Sequence, residues 1–232
     1  MNLATLETLQ RAHMTAVPFE NLHVFHRRGV RTSAEWSIPK IVTRGRGGWC
    51  FELNGAFGEL LISLGFPVTR LAAGVMLGGD DPPDEPDHLT LRVDLDEPYL
   101  VDVGFGDSAI RPLRLDDEGP QDGGDRTYRL RRDGRFSYLE STGGSSWEPS
   151  FRFDDAPREL TEFEPRSTFL QSEPGLHWTE APFATRLIDN GPDRVWLLRN
   201  RMKIRRDGEV VTTPIPAADW DATLQEWFGM TP

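Results

Sequence analysis

Residues 44–55 read RGRGGWCFELNG and hold the only cysteine of the chain, Cys50. From Cys50 onward, apolar residues recur at helical spacing, which predicts that a helix begins at the cysteine. These apolar positions are Leu53, Phe57, Leu60, Leu61 and Leu64. A helix N-terminus favours negative charge, and Gly47 and Gly48 let a ligand approach the sulfur closely. The position suits a nucleophilic thiolate, although a lone cysteine is more commonly a small buried hydrophobe, and this stretch alone leaves both interpretations open.

The composition is that of a folded protein. Of the 232 residues, 38% are hydrophobic and seven are tryptophan, which argues against an intrinsically disordered chain. A single cysteine cannot close an internal disulfide, so no secreted disulfide scaffold is indicated. The first residues show no signal-peptide pattern, and no apolar run is long enough to span a bilayer. We therefore expect a cytoplasmic protein with no membrane partner.

The charge balance argues against polyanionic partners. The formal net charge is -11, from 37 acidic and 26 basic residues. A field of this sign opposes nucleic acids and anionic membranes, whereas a small anionic ligand needs only local donors. The basic run RNRMKIRR at 199–206 is interpreted as a solvent-exposed strand of a hairpin.

The order of the predicted elements indicates the fold class. Helical spacing dominates the first third, and short β-branched and apolar segments follow, separated by Pro, Gly and Asp clusters such as residues 78–87. The predicted elements are helices over 3–14, 33–42 and 50–64, strands over 68–77, 88–95 and 98–106, hairpins over 127–140 and 195–211, and a helix over 217–230. Helices first, strands in the middle and a helix last predict an α+β protein with a β-barrel or sandwich core.

A nucleophilic thiol needs a base, and the base needs an orienting group. Among the five histidines, His88 is the candidate because it begins a predicted strand directly after a polar loop. Asp102 lies among apolar neighbours in the next predicted strand, where a carboxylate is costly unless it is paired. Adjacent strands would pair the two side chains opposite Cys50. His23 and His26 share a helical face, but no cysteine or carboxylate accompanies them, so no metal site is predicted.

Four short motifs follow one another along the chain: VPFENL (17–22), RGGWCFELNG (46–55), DHLTLRV (87–93) and VDVGFG (101–106). In this order and spacing they resemble the arylamine N-acetyltransferase family. The resemblance extends from about Leu6 to the closing LQEWFGM, and it is weak between residues 110 and 195.

The resemblance implies a ping-pong acyl transfer by a triad like that of the cysteine proteases. Cys50 would be the nucleophile that accepts the acyl group, His88 its general base, and Asp102 the residue that orients the imidazole. Acetyl-CoA would donate the acetyl group, an aromatic amine or hydrazine would accept it, and no cofactor would be bound permanently. Backbone N–H groups, that of Cys50 among them, would hold the oxyanion.

The resemblance also implies roles for residues beside the triad. Phe19 and Phe105 would stack an arene acceptor, with ordinary core packing as the alternative for both. Gly104 and Gly106 would keep the mouth of the site open beside the thioester.

Further support would come from the residues around the first motif. Glu20, Asn21 and Arg46 would tie VPFENL to the cysteine loop. The family's architecture implies three domains: a helical bundle over 1–66, a β-barrel over 67–165 and a C-terminal α/β lid over 166–232.

Three other functions share part of this evidence. Amide synthases that close the macrolactam ring of ansamycin polyketides resemble the family and carry the same triad, but they take the acyl chain from an acyl carrier protein. Thiol proteases and transglutaminase-like hydrolases share the triad logic, whereas the VPFENL and VDVGFG contexts count against them. A non-catalytic binding module would merely pack Cys50 and would leave the placement of His88 and Asp102 unexplained. We favour the acetyltransferase.

Overall fold

The computed structural model describes residues 1–76 and 85–232, so most of the loop predicted at 78–87 lies outside the described residues. The helices are α1 (Leu3–Ala16), α2 (Leu22–Phe25), α3 (Ala34–Ile38), α4 (Cys50–Ser63), α5 (Glu164–Ser172), α6 (His177–Glu180) and α7 (Trp220–Phe228). The strands are β1 (Phe19–Glu20), β2 (Val68–Val75), β3 (His88–Asp94), β4 (Pro98–Val101), β5 (Leu113–Arg114), β6 (Gln121–Asp122), β7 (Thr127–Asp133), β8 (Phe136–Thr142), β9 (Glu148–Pro157), β10 (Ala184–Leu187), β11 (Arg194–Leu198), β12 (Arg201–Arg206) and β13 (Glu209–Pro214).

Helix α4 is the central helix of the first third, and it begins at Cys50 as predicted. Leu53, Phe57 and Leu61 pack into the core, as the periodicity predicted. The predicted stripe was too long, however, because Leu60 and Leu64 are exposed at the C-terminal end of the helix. Periodicity places both residues near the face of Leu53, but the core covers this face only in the earlier turns of the helix.

Strands β2 to β9 form one antiparallel sheet that curls into a nearly closed barrel, with the order β5-β4-β3-β2-β9-β8-β7-β6. The side chain of Gln121 bridges the two edge strands: it accepts from the Arg114 N–H at 2.7 Å and donates to the Arg114 carbonyl at 2.9 Å. The predicted hairpin over 127–140 is confirmed as β7 and β8, with Leu130 opposite Leu139. The predicted α+β fold with a barrel is therefore confirmed.

A second sheet has the strand order β1-β10-β11-β12-β13 and is covered by α7. The prediction of one hairpin over 195–211 was incomplete, because β11, β12 and β13 form a three-stranded meander. Asp207 and Gly208 make the tight turn between the last two strands, with φ of 51° and 82°. The turn at Arg199 and Asn200, between β11 and β12, was not predicted, because apolar and basic residues follow one another there without a clear turn signal. Most of the basic run forms β12, which lies beside the edge strand β13 and is exposed at both of its ends.

The second sheet joins the two ends of the chain. Strand β1 comes from the helical first third and pairs antiparallel with β10, with Phe19 opposite Thr185. The division into domains over 1–66, 67–165 and 166–232 stays a prediction. No helix within 1–76 and 85–232 is long and apolar enough to cross a membrane.

A buried ion cluster anchors the first turn of α4. The Lys40 ammonium lies 2.8 Å and 2.9 Å from the two carboxylate oxygens of Glu52, and 3.9 Å from Glu20. The Trp36 indole N–H donates to Glu52 at 2.9 Å. All three charged side chains are about 1% exposed or less, and burial raises the pKa of Glu52 while Lys40 opposes that rise. The cluster fixes the helix start that carries Cys50.

Replacing Lys40 by Met should destabilise the fold strongly, because Glu52 and Glu20 would then be buried without a cation. We expect a loss of about 3–5 kcal/mol in the free energy of unfolding, measured by urea titration. Adding Glu52→Gln to Lys40→Met should recover part of this loss. As a control, Arg92→Met removes a partly exposed pair with Asp94 and should cost less than about 1 kcal/mol. Equal losses in the two single variants would contradict the anchoring role.

Candidate active site

Cys50 is the first residue of α4, and its side chain is buried. The two glycines behind it are required by close contacts. A Cβ on Gly47 would lie 2.0 Å from the Pro18 carbonyl oxygen, and one on Gly48 would lie 2.6 Å from a carboxylate oxygen of α4. Gly48 also accepts from the Glu20 N–H at 2.9 Å and donates to the Pro18 carbonyl at 3.2 Å. Backbone hydrogen bonds therefore hold the cysteine loop against the VPFENL segment.

The structure brings His88 and Asp102 together beside Cys50. His88 is the first residue of β3, and Asp102 directly follows β4, its antiparallel neighbour. Asp102 was predicted inside a strand, but the ladder ends one residue earlier, which frees its backbone to turn. The His88 Nε2 and Asp102 Oδ2 atoms lie 2.6 Å apart, and both side chains are buried. Because Nε2 is engaged, Nδ1 is the ring nitrogen left for the contact with Cys50.

The electrostatics of this group favour a charged imidazole. Burial by itself lowers the pKa of His88, but the charge and hydrogen bond of Asp102 and the contact with Cys50 outweigh it and raise the pKa to about 10. His88 is therefore protonated at neutral pH in this environment. An imidazolium beside a thiol, at the start of a helix, stabilises the thiolate form of that thiol.

Asn54 completes the buried network, and sequence reasoning missed it. Its Nδ2 donates to Asp102 Oδ1 at 3.0 Å and to the Leu89 carbonyl at 2.6 Å, and its Oδ1 accepts from the Val103 N–H at 2.9 Å. The sequence feature that could have revealed it is its position: Asn54 is an amide four residues after Cys50, among the buried residues of α4. Asn54 holds the Asp102 carboxylate against the same helix that carries the thiol.

Gly104 and Gly106 have steric reasons to be glycine. A Cβ on Gly104 would lie 2.8 Å from the Cys50 Cα and 3.2 Å from its carbonyl oxygen, so the loop after β4 rests directly on the first turn of α4. Gly106 has a φ of 71°, and a Cβ there would lie 2.9 Å from the Phe19 ring. Gly104 therefore brings the loop close to Cys50, whereas Gly106 packs against Phe19 and does not line the pocket at the sulfur.

A small aromatic pocket opens beside the sulfur. Its volume is about 150 Å³. Its lining comprises Phe19, Cys50, Val75, Asp87, His88, Gly104, Phe105, His177, Trp178 and Phe183. The rings of Phe19 and Phe183 lie 5.5 Å apart, and the ring of Phe105 lies edge-on to His88 at 5.2 Å. The pocket has the size and the flat apolar walls that suit one arene.

Five lining residues were not predicted as site residues: Val75, Asp87, His177, Trp178 and Phe183. His177, Trp178 and Phe183 come from a segment flanked by Pro and Gly whose register had no periodic signal. Its visible signal was the density of aromatic residues in a polar loop. Asp87 immediately precedes His88, so the strand start carries two ionisable side chains to the same pocket.

Of the three residues predicted to tie VPFENL to the cysteine loop, Glu20 does so through its backbone N–H, while the side chains of all three bond to other partners. Asn21 donates to the Trp178 and Ala181 carbonyls at 2.8 Å each and accepts from the Phe183 N–H at 2.8 Å, so it clamps the pocket wall.

The other two residues are not paired with each other. The Glu20 carboxylate accepts from the Leu22 N–H and faces Lys40, while Arg46 donates to the Thr231 carbonyl. Lys40 is the cation that faces the Glu20 carboxylate, whereas Arg46 is half-buried against the C-terminal residues of the chain.

No metal centre is formed by the residues described. Across 1–76 and 85–232, there is no group of three or more His, Cys, Asp or Glu side chains arranged to hold an ion.

Comparisons with known proteins agree with this geometry. A family model described as N-acetyltransferase matches residues 2–231. The chain is 35% identical over 215 residues to an arylamine N-acetyltransferase of Mycolicibacterium smegmatis, covering 89% of this chain and 77% of that protein. It is 32% identical over 192 residues to the arylamine N-acetyltransferase of Escherichia coli K12, covering 81% of this chain and 66% of that one. A solved structure of the Mycobacterium marinum arylamine N-acetyltransferase in complex with CoA superposes with a TM-score of 0.92 at 32% identity, covering 98% of this chain and 86% of the other.

Replacing Asp102 by Asn should reverse the pH dependence of stability that comes from His88. In the parent protein, the folded pKa of about 10 exceeds the ordinary 6.5, so the stabilisation is complete below pH 6.5 and is lost as the pH rises towards 10. Without the carboxylate, burial dominates and lowers the pKa, so stability should instead fall as the pH decreases below 6.5. Urea titrations between pH 5 and 9 would measure this, with an expected change on the order of 2–3 kcal/mol. Asp94→Asn, at an exposed carboxylate on β3, is the control and should leave the profile unchanged. If the stability of Asp102→Asn varied with pH in the same way as that of the parent protein, the pairing of His88 with Asp102 would be contradicted.

Proposed function

Because the chain belongs to the arylamine N-acetyltransferase family, we propose that it transfers the acetyl group of acetyl-CoA to an arylamine, an arylhydrazine or a similar amine through a thioester on Cys50. The observation that carries this proposal is the buried row of Cys50, His88 and Asp102, which meets an arene-sized pocket at the head of α4. The relative from Mycobacterium marinum, solved with CoA, supports the identity of the donor.

In the first half-reaction, the Cys50 thiolate attacks the acetyl carbonyl of acetyl-CoA. A new C–S bond forms to Cys50, the C–S bond to CoA breaks, and the departing CoA thiolate takes the proton of the His88 imidazolium. The products are acetyl-Cys50, CoA as its thiol, and a neutral imidazole. The raised pKa of His88 keeps this proton on the imidazole until the departing CoA thiolate takes it up.

In the second half-reaction, the nitrogen of the amine attacks the thioester carbonyl. The C–N bond forms, neutral His88 takes the proton that the amine loses, and the C–S bond to Cys50 breaks. This regenerates thiolate and imidazolium, so one acetyl-CoA and one amine give one amide and one CoA. Every step uses side chains of the protein itself and the two substrates, so the proposed mechanism needs no permanently bound cofactor.

The surrounding residues support both steps. Asp102 holds the imidazole through Nε2 and leaves Nδ1 towards the sulfur. The Cys50 N–H, at the unpaired start of α4, is our proposed donor to the oxyanion of each tetrahedral intermediate. Phe19 and Phe105 are the proposed stacking surfaces for the acceptor, and Gly104 and Gly106 let it reach the thioester.

We also propose that the enzyme works in the cytoplasm. The proposed nucleophile must stay a free thiol, and reducing compartments maintain that state. A carrier protein as acyl donor is the alternative to CoA, because the same triad accepts either thioester.

Acetyl-CoA should acetylate Cys50 in the absence of any amine. Intact-protein mass spectrometry should show one added acetyl group, which disappears when aniline is added and acetanilide is formed. Cys50→Ala should take up no acetyl group, and His88→Ala should acetylate at least about a hundredfold more slowly. His13→Ala is the control for a histidine outside the site.

A folded protein that shows no adduct with acetyl-CoA would overturn the proposed donor. An adduct formed instead from an acyl carrier protein thioester would point to the amide-synthase reaction.

A further inference from the structure

We propose that Asp87 makes the pocket beside Cys50 select against acceptors with a negative charge, so that the acceptor is an uncharged or cationic arylamine or hydrazine. The inference rests on the proposed function and adds to it the class of acceptor. Nothing in the transfer chemistry itself requires a carboxylate at this position.

Asp87 is held rigidly at the pocket wall. Its N–H donates to the Ala73 carbonyl at 3.1 Å, and its Oδ1 accepts from the Val75 N–H at 2.9 Å. Its own carbonyl oxygen lies 3.8 Å from the Cys50 sulfur. The backbone of Asp87 therefore touches the proposed nucleophile, while its side chain lines the pocket that receives the acceptor.

Within residues 1–76 and 85–232, the hydrogen bond from the Val75 N–H engages Oδ1 of Asp87, and Oδ2 has no partner. Outside the triad, the other ionisable lining group is His177, and the remaining described lining residues are Gly104 and aromatic or aliphatic side chains. Among the described lining residues, Asp87 therefore supplies the carboxylate that a bound arene would meet.

The charged neighbours of Asp87 do not cancel its field. Burial raises the pKa of Asp87 above its ordinary value, and the Val75 N–H, His88 and Arg166 offset that rise only in part, so the test is run at pH 8. His88 is already paired with Asp102 at 2.6 Å, and Arg166 lies 4.0 Å from the exposed carboxylate of Glu85. The remaining lining group that titrates is His177, whose pKa is lowered by burial, so it stays neutral at neutral pH. An ionised Asp87 thus leaves the pocket wall negative.

A negative wall acts differently on two acceptors of the same shape. 4-Aminobenzoate and 4-aminobenzamide both present an aniline nitrogen and a flat ring, and they differ by one negative charge. With the amine at the thioester, the ring and its para substituent would occupy the pocket that Asp87 lines. A carboxylate there would be repelled by Asp87, and a repulsion of about 1.4 kcal/mol lowers relative affinity tenfold.

The test measures the second half-reaction alone. Acetyl-enzyme is prepared with acetyl-CoA at pH 8, and its single-turnover deacetylation by each acceptor gives a ratio of rate constants, benzamide over benzoate. Asp87→Asn removes the charge and keeps an oxygen for the Val75 N–H, so we expect the ratio to fall about tenfold. The benzoate should gain through a lower half-saturating concentration. Comparing this ratio between the variant and the parent protein cancels the different intrinsic reactivity of the two amines.

Three further variants sharpen the result. Asp87→Glu keeps the charge and should keep the parent ratio. Glu85→Gln removes a carboxylate two residues away that does not line this pocket, and it should also keep the ratio. Asp87→Ser removes the charge with a different side chain and should reproduce the result of Asp87→Asn, which guards against a folding defect in one variant.

The outcomes separate the two proposals. A ratio that is the same in Asp87→Asn and the parent protein, with acetyl-enzyme formed normally, overturns the role of Asp87 and leaves the acetyltransferase proposal standing. If the ratio changes as much in Glu85→Gln as in Asp87→Asn, the role of Asp87 is also overturned, because the effect would then come from the net charge of the protein. If the parent protein forms no acetyl-enzyme, the proposed function fails, and the inference about its acceptor fails with it.

Discussion

The short contact between His88 and Asp102 is the constraint on which the rest of the structure depends. Two ionisable side chains are removed from water here, and each is tolerable only because the other is 2.6 Å away. This requires the start of β3 and the residue after β4 to meet at one end of the barrel. It also requires a polar neighbour for the second oxygen of Asp102, which Asn54 supplies from α4. The helix that carries the thiol is thereby locked to the barrel that carries its partners.

A second buried charge cluster lies on the other side of the same helix turn. Glu52 is two residues after Cys50, and its ion pair with Lys40 binds the helix start to the preceding segment. The first turn of α4 is thus fixed from two directions, by Asn54 and by Glu52. A reactive thiol gains from this rigidity, because its distance to the imidazole does not have to be set anew for each acyl group. The same reasoning explains Gly47 and Gly104, whose missing side chains let two loops close on this turn.

The sequence predicted the parts of this site that depend on local rules. The helix start at Cys50, the glycines behind it and the pairing needed by Asp102 all follow from periodicity, backbone sterics and the cost of burying a charge. The parts that were missed depend on contacts between distant segments. The role of Lys40 was not predicted, because only the tertiary fold places its ammonium beside Glu52. Leu60 and Leu64 were assigned to the core because hydrophobicity cannot tell which apolar positions a neighbour will cover. Asn21 was expected to contact the cysteine loop, yet it bonds residues 178–183, about 160 positions further along the chain.

The pairing of β1 with β10 has a consequence for the order in which the site matures. Phe19 emerges from the ribosome early, whereas Thr185, opposite it, is made after four fifths of the chain. The helix and barrel that bring Cys50, His88 and Asp102 together are complete by about residue 157, before the wall containing Trp178 and Phe183 exists. At that length the first turn of α4 would still lack Phe163, Leu170 and Trp178, which pack against the Cys50 region in the finished protein, so its apolar surface would face water and chaperones. The pairing of β1 with β10 follows the synthesis of these residues, so the cover over the thiol is the last part of the site that the growing chain can complete.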